Sequence, residues 1–226
     1  MAKQATQPDL ERRSFPGRVE SRADAPNTLV GLAAPFYDGT PATEYQLWPG
    51  VFERYMPGCF DAVAEDDVRC LYNHEDCELL GRTKSGTLTL SVTGRGLEYT
   101  CQLPDTGPGR DVAQLVGRGD ISGSSAGFIV REERWVIQEN ADGSIKEIRE
   151  LLKLTLFDVS PVTYPAYVGT EAATRGAGPV TTARAAYEAW HATRGADERA
   201  AMEMAAARLA LAEAEAGDLT PPAPLA

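Results

Sequence analysis

From Thr28 onward the chain reads as short runs of β-branched, aromatic and leucine residues separated by Gly, Pro, Asp and Asn, a pattern of strands and turns. TLVGLAAPF (28–36) is a strand, and the Gly/Pro-punctuated YDGTPATEYQLWPG is a loop leading to VFERYMPGCF. Gly58 to Ala64 predicts a short helix, and VRCLYNH a strand that ends at His74. TLTLSV and GLEYTCQL, separated by TGR, predict a hairpin. In GRDVAQLVGRG the apolar Val112, Leu115 and Val116 fall at helical spacing between glycines, so a short helix delivers the chain to ISGSSAG, where the Gly/Ser composition suggests a turn. FIVREERWVI and KEIRELLKLTLFDVSPV then alternate on either side of an Asp-Gly turn signal and predict a long hairpin. Residues 1–26 are polar and lack a sustained period, which predicts a loose arm. After Thr170 the composition shifts to Gly, Ala and Thr, and the Ala-rich, charged stretch 181–216 predicts a helical tail, so 174–226 is read as linker plus tail.

Composition narrows the function classes. With 226 residues, 43% of them hydrophobic, one main domain with appendages is the expectation. A net charge of -11 repels a phosphate backbone, and no Lys/Arg stripe interleaves with aromatics, which argues against direct nucleic-acid binding. No run approaches the roughly 18 apolar residues of a membrane span, and MAKQATQPDLERR lacks the apolar core of a signal peptide. The expectation is an intracellular protein with no membrane partner, whose four cysteines are reduced thiols. Cys59, Cys70, His74 and Cys77 carry donors suited to zinc, yet C-x3-H-x2-C is not a standard paired knuckle. Cys70 in VRCLY and Cys101 in LEYTCQL read more simply as small core residues, and no metal or cofactor is expected.

Candidate chemistry gathers at three points. His74, in YNHED, is one of two histidines, and Ser125, in GSSAG, follows it; a neutral imidazole able to take a serine proton makes the pair a candidate for acyl transfer. GSSAG fits the G-x-S-x-G nucleophile elbow, but an elbow leads into a helix, whereas FIVREERWVI is strand-like. That architecture would also require His191 in the tail as the base. Asp158 is the third point. In KLTLFDVS a period of two puts it on the face of Leu152, Leu154 and Leu156, where a carboxylate needs a partner. His74 or an arginine would serve, as would backbone N–H groups at the SPVTYPAY turn.

Taken in order, GLAAPF, PGCF, LYNHE followed by LLGRTKSGTLTL, GLEYTCQLP, GRGDISGSSAGF and LFDVSPVTYPAY resemble the prohead protease family of tailed double-stranded DNA phages. These capsid-maturation serine proteases are related in fold to herpesvirus assemblin, and the resemblance runs from about Leu29 to Ala173. It implies a mainly β fold with some α, a compact closed β-barrel ringed by short helices over 27–173. It further implies His74 as general base, Ser125 as nucleophile and Asp158 as the acid. Ser125 holds the serine position relative to Gly127-Phe128; Ser124 and Ala126 stand where the family usually has a bulkier hydrophobic and an aromatic residue. Asp158 is one methylene shorter than the family's usual glutamate. Oxyanion donors are expected among backbone N–H groups near Ser125 to Gly127 or on another loop. The implied substrates are the scaffold or delta segment of the major capsid protein and the protease itself, as self-processing or a homo-oligomer, inside the procapsid assembling in the host cytoplasm. The tail from about Val180 becomes a candidate scaffold-targeting segment, and TEAATRGAGP (171–180) a candidate site of self-cleavage. Two other classes keep the same residues in view: a non-catalytic assembly factor with a protease-like barrel, and an esterase of small molecules.

Overall fold

The two longest alternating runs form the spine of the fold. In the computed structural model, which describes residues 10–16, 19–22, 24–140, 142–165, 181–193, 204 and 206–208, the strands are β1 (Glu11–Phe15), β2 (Val19–Arg22), β3 (Ala25–Pro35), β4 (Tyr45–Trp48), β5 (Val51–Tyr55), β6 (Arg69–Leu71), β7 (Leu79–Arg82), β8 (Leu88–Thr93), β9 (Gly96–Gln102), β10 (Gly123–Glu139) and β11 (Ile145–Val162). Helix α1 (Gly107–Arg118) lies between β9 and β10, and α2 (Thr181–Ala192) follows β11. β10 and β11 pair antiparallel along almost their full length. β1 covers the other edge of β10, while β11 pairs in parallel with both β5 and β6. β4 and β7 complete this seven-stranded sheet, and β2-β3-β9-β8 form a second sheet of four.

The protein is thus mainly β with few helices, but no ladder among the described residues joins the ends of either sheet into the closed barrel that was expected. The sheets meet at seams instead. A parallel bridge links Phe36 with Tyr55, and the Val19 N–H donates to the Ser122 carbonyl across 3.0 Å. Between the sheets lies a core that includes Leu29, Leu97, Tyr99, Phe128 and Leu151. Tyr55 sits at its centre, with ring centroids 5.5 Å from Phe60 and 5.6 Å from Phe128. Helix α1 shows why its short sequence holds. The Thr106 hydroxyl accepts from the Gly109 N–H at its start, Gly119 (φ 81°) closes it in the left-handed region, and Val112 and Val116 face the core.

The stretch expected to be a loose arm supplies two strands. ERRSF reads as polar, yet Glu11, Arg13 and Phe15 all point inward, because the interior contains partners for the charges. The Arg13 guanidinium donates to both Glu53 carboxylate oxygens, at 2.6 and 3.0 Å, and to Glu11 at 2.5 Å. Arg149 donates to Glu11 and to Glu53 at 2.9 Å, and also pairs with Glu133. Burial opposes charge at Glu11, but Arg13 and Arg149 outweigh it and hold the carboxyl below its ordinary range; Glu53 and Glu11 likewise raise both arginines despite burial. This cluster pins β1 to β5 and β11 and thereby fixes the strand beside Ser125.

Three other expectations change. The loop 37–50 contains β4, and Gly58 to Ala64 is a series of turns with a 3-10 turn at Val63–Glu65 instead of an α-helix. The strand expected to end at His74 stops at Leu71. Of the tail predicted over 181–216, α2 is helical, as are residue 204 and residues 206–208; the remainder and the 166–180 linker lie outside the described residues. α2 docks through its aromatic side, with the Tyr187 ring 5.1 Å from Trp48 and Trp190 stacked 5.4 Å from Trp135.

Candidate active site

His74 reaches the site on a strained turn. After β6, Asn73 (φ 53°) and His74 (φ 60°) both adopt left-handed backbone, which costs non-glycine residues on the order of 1–2 kcal/mol each. Hydrogen bonds to the end of β11 offset that strain. The Asn73 N–H donates to the Pro161 carbonyl (3.1 Å), its side-chain Oδ1 accepts from the Thr163 N–H (2.9 Å), and its Nδ2 donates to the Thr163 hydroxyl (3.1 Å). The turn is therefore tied to the strand that carries Asp158.

Ser125 lies within β10, in the middle of a three-strand row in which Ser14, Ser125 and Ser160 stand opposite one another. GSSAG is thus a strand, not a turn. Alternation separates its two serines: Ser124, Ala126 and Phe128 face the core side, and Ser125 and Gly127 face the other. The Ser124 hydroxyl donates to the Tyr99 hydroxyl at 3.3 Å, well away from the imidazole. The Ser125 Oγ stands 2.7 Å from His74 Nε2 and 3.0 Å from the Arg13 carbonyl, so its one proton has two acceptors.

Asp158 comes to the same face by an irregularity in β11. Gly127 stands opposite Asp158 and Phe128 opposite Leu156, leaving Phe157 as an extra residue in the ladder. The expected placement of Asp158 on the face of Leu154 and Leu156 is therefore wrong. Those leucines face the core, and the bulge turns the carboxylate over to the face of Ser125 and Ser160. There Asp158 Oδ1 hydrogen-bonds His74 Nδ1 and accepts from the Ser160 hydroxyl at 2.8 Å. A carboxylate at Nδ1 favours the tautomer with its proton there, which leaves the Nε2 lone pair for Ser125. Burial pushes the Asp158 carboxyl up, but the His74 charge, its hydrogen bond, the Ser160 hydroxyl and Arg12 outweigh it and hold it below the ordinary aspartate value.

Gly127 is required by this arrangement, since a Cβ there would lie 2.2 Å from Asp158 Oδ2. Gly127→Ala is expected to push Asp158 off the imidazole, lowering the rate at which Ser125 is acylated by a serine-directed reagent at least about tenfold and stability by about 1–3 kcal/mol. Labelling rates and urea titrations of this variant measure both effects.

Sequence reasoning named His74, Ser125 and Asp158, and the fold brings them together, all buried. It missed Ser160, although a period of two from Asp158 would have put it on the same face, and it missed Gly127 and Arg12. The candidate zinc set does not assemble around His74, whose two ring nitrogens are turned to Asp158 and Ser125. Cys59, Cys70 and Cys101 are buried free thiols and Cys77 is exposed; a hydrogen bond with Cys101, together with burial, holds the Cys70 thiol well above its ordinary value. No helix among the described residues is long and apolar enough to cross a membrane.

A hydroxyl, an imidazole and a carboxylate linked in line are a set able to transfer an acyl group through a serine ester. No curated protein and no solved structure matches the chain. The family described as Caudovirus prohead serine protease matches residues 22–182, well over half of the chain. The chain therefore belongs to that family of serine proteases of phage capsid maturation, which act within the procapsid.

Proposed function

We propose that this protein is a serine endopeptidase in which Ser125 is the nucleophile, His74 the general base and acid, and Asp158 the group that orients His74. Its substrates are the scaffold or delta segment of the major capsid protein and its own chain, inside a procapsid assembling in the host cytoplasm. The observation that carries this reading is the continuous line from the Asp158 carboxylate through both nitrogens of His74 to the Ser125 hydroxyl, 2.7 Å from Nε2. His74 Nε2 takes the serine proton as Oγ bonds to the peptide carbonyl carbon, and the C=O π pair moves onto oxygen. When that pair returns, the C–N bond breaks and the imidazolium gives its proton to the departing amine. Water, deprotonated in turn by His74, repeats the sequence on the ester and releases the acid.

Asp158 remains a carboxylate throughout and stabilises the imidazolium across the hydrogen bond at Nδ1. The same reading takes the two sheets as walls of the family's barrel, supported by the bonds at their seams. The chain from about Val180 serves as the targeting segment, and confinement at high local concentration offsets weak intrinsic binding to the substrate.

Intact mass spectrometry of the cognate capsid protein, incubated with wild type and with Ser125→Ala, tests the proposal. Wild type alone is expected to shorten the capsid protein and its own chain. Equal behaviour of the two chains overturns the assignment and moves the non-catalytic assembly factor to the front.

A further inference from the structure

The face that carries Ser125 holds two arginines beside Asp158 that the reaction above does not use: Arg69, opposite Asp158 in β6, is paired with Asp67, which leaves Arg12. Arg12 stands opposite Gly127, two positions along β1 from the Ser14–Ser125 pair. Same-face diagonal neighbours of an antiparallel pair lie about 7–8 Å apart, within reach of a long side chain. Across Gly127, which has no side chain to intervene, stands Asp158. Asp158 nevertheless directs its Oδ1 to His74 and Ser160, and the Arg12 Nε–H is left buried without a partner. Arg13 and Arg149 next to it are fully engaged with Glu11, Glu53 and Glu133. A buried donor without an acceptor costs on the order of 1–3 kcal/mol, a cost that disappears when an acceptor arrives.

The reaction brings such an acceptor. Oxyanion donors were expected among the amides near Ser125 to Gly127 or on another loop, and the first of these is unsuited, because β10 is paired on both edges across Ser124 to Gly127. Its N–H groups are directed at neighbouring strands, not at the space before Oγ. Charge balance points the same way. In the tetrahedral state Asp158 and the oxyanion are negative while His74 is positive, leaving one negative charge in excess in a site where Ser125, His74 and Asp158 are all buried. A guanidinium neutralises that excess.

We infer that Arg12 is a catalytic residue whose guanidinium donates to the scissile carbonyl oxygen as it becomes the oxyanion. This rests on the proposed role of Ser125. Arg12 transfers no proton: it keeps its charge while Oγ–C forms and the π pair moves to oxygen, and it releases the oxygen when C=O is restored and C–N breaks. Arg12 also lies ahead of residues 22–182, so it falls outside the part of the chain that the family match covers.

The test uses the full chain and a peptide spanning the capsid cleavage sequence mapped by mass spectrometry, with the aldehyde of its amino-side fragment as a mimic of the tetrahedral state. Arg12→Gln is expected to lower kcat by about 10²–10³-fold, with KM within about threefold of wild type. Affinity for the aldehyde should fall in parallel, the loss of kcat should persist at every pH across the profile, and Arg12→Lys should recover part of the loss. Circular dichroism of both variants reports their folding, and if only the lysine variant folds, its kcat is expected to be about tenfold below wild type. A kcat within about threefold of wild type, or a loss that vanishes at a shifted pH, overturns the inference, the latter by making Arg12 act through Asp158. Cleavage by wild type and none by Ser125→Ala leaves the protease reading standing whatever Arg12 does; a wild type that leaves the peptide whole sinks both.

Discussion

Ser125→Ala and His74→Ala are each expected to lower the turnover of capsid-protein cleavage by roughly 10⁶-fold, and Asp158→Asn by about 10⁴-fold, with the fold retained in all three. Removing Oγ deletes the bond-forming atom, and removing the imidazole leaves the hydroxyl proton with no acceptor except the Arg13 carbonyl, which is not a useful base. Their losses should not add, because the two residues act as a unit: the double variant should be no slower than either single one. Asp158→Asn keeps the shape but presents an amide to Nδ1, so the ring can adopt the tautomer that turns its proton toward Ser125. Single-turnover assays on the three variants and the double variant check the ranking. An Asp158→Asn variant close to wild type would mean that Ser160, 3.2 Å from Nδ1, is enough to orient the ring.

The second large effect concerns folding. Glu53→Ala is expected to destabilise the protein by about 3–5 kcal/mol, because it removes the buried carboxylate that Arg13 and Arg149 both bond and leaves the two guanidiniums to share Glu11 in the interior. Glu53 accepts from both arginines and is almost completely buried, so no water can replace it without opening the core. Glu133→Ala serves as the control. Of the two arginines it pairs with Arg149 alone, its other oxygen accepts from the Trp135 Nε1–H at 3.0 Å, and its carboxylate is 23% exposed, so a loss of about 1 kcal/mol is expected. Urea midpoints for the two variants measure the difference. Glu53→Ala should also impair cleavage beyond what unfolding explains, since the cluster sets the position of β1, whose Arg13 carbonyl touches the Ser125 hydroxyl.

What could be read from the sequence follows from how strictly each segment alternates. The β10–β11 hairpin was legible because its apolar positions keep a period of two around the Asp-Gly turn. α1 was legible from Val112, Leu115 and Val116. β1 was hidden because two of its inward positions are charged, and their partners Glu53 and Arg149 come from distant parts of the chain. β4 and β7 are four residues each, too short for periodicity to separate them from loop. The need of Asp158 for a partner was correctly argued, but from the wrong face, because one extra residue at Phe157 reverses alternation and carries no signature in LTLFDVS. The left-handed backbone at Asn73 and His74 was likewise invisible, since it depends on hydrogen bonds to Pro161 and Thr163. The pairing of His74 with Ser125 came from their chemistry and from the family resemblance, not from any periodic signal.

The most direct measurement is the site of covalent labelling by a fluorophosphonate, which bonds through phosphorus to an activated serine oxygen and releases fluoride. Peptide mapping of the labelled wild-type chain is expected to place one adduct on Ser125, and His74→Ala is expected to remain unlabelled. An adduct on Ser124 or Ser160, or labelling of Ser125 that survives the loss of His74, would contradict the account.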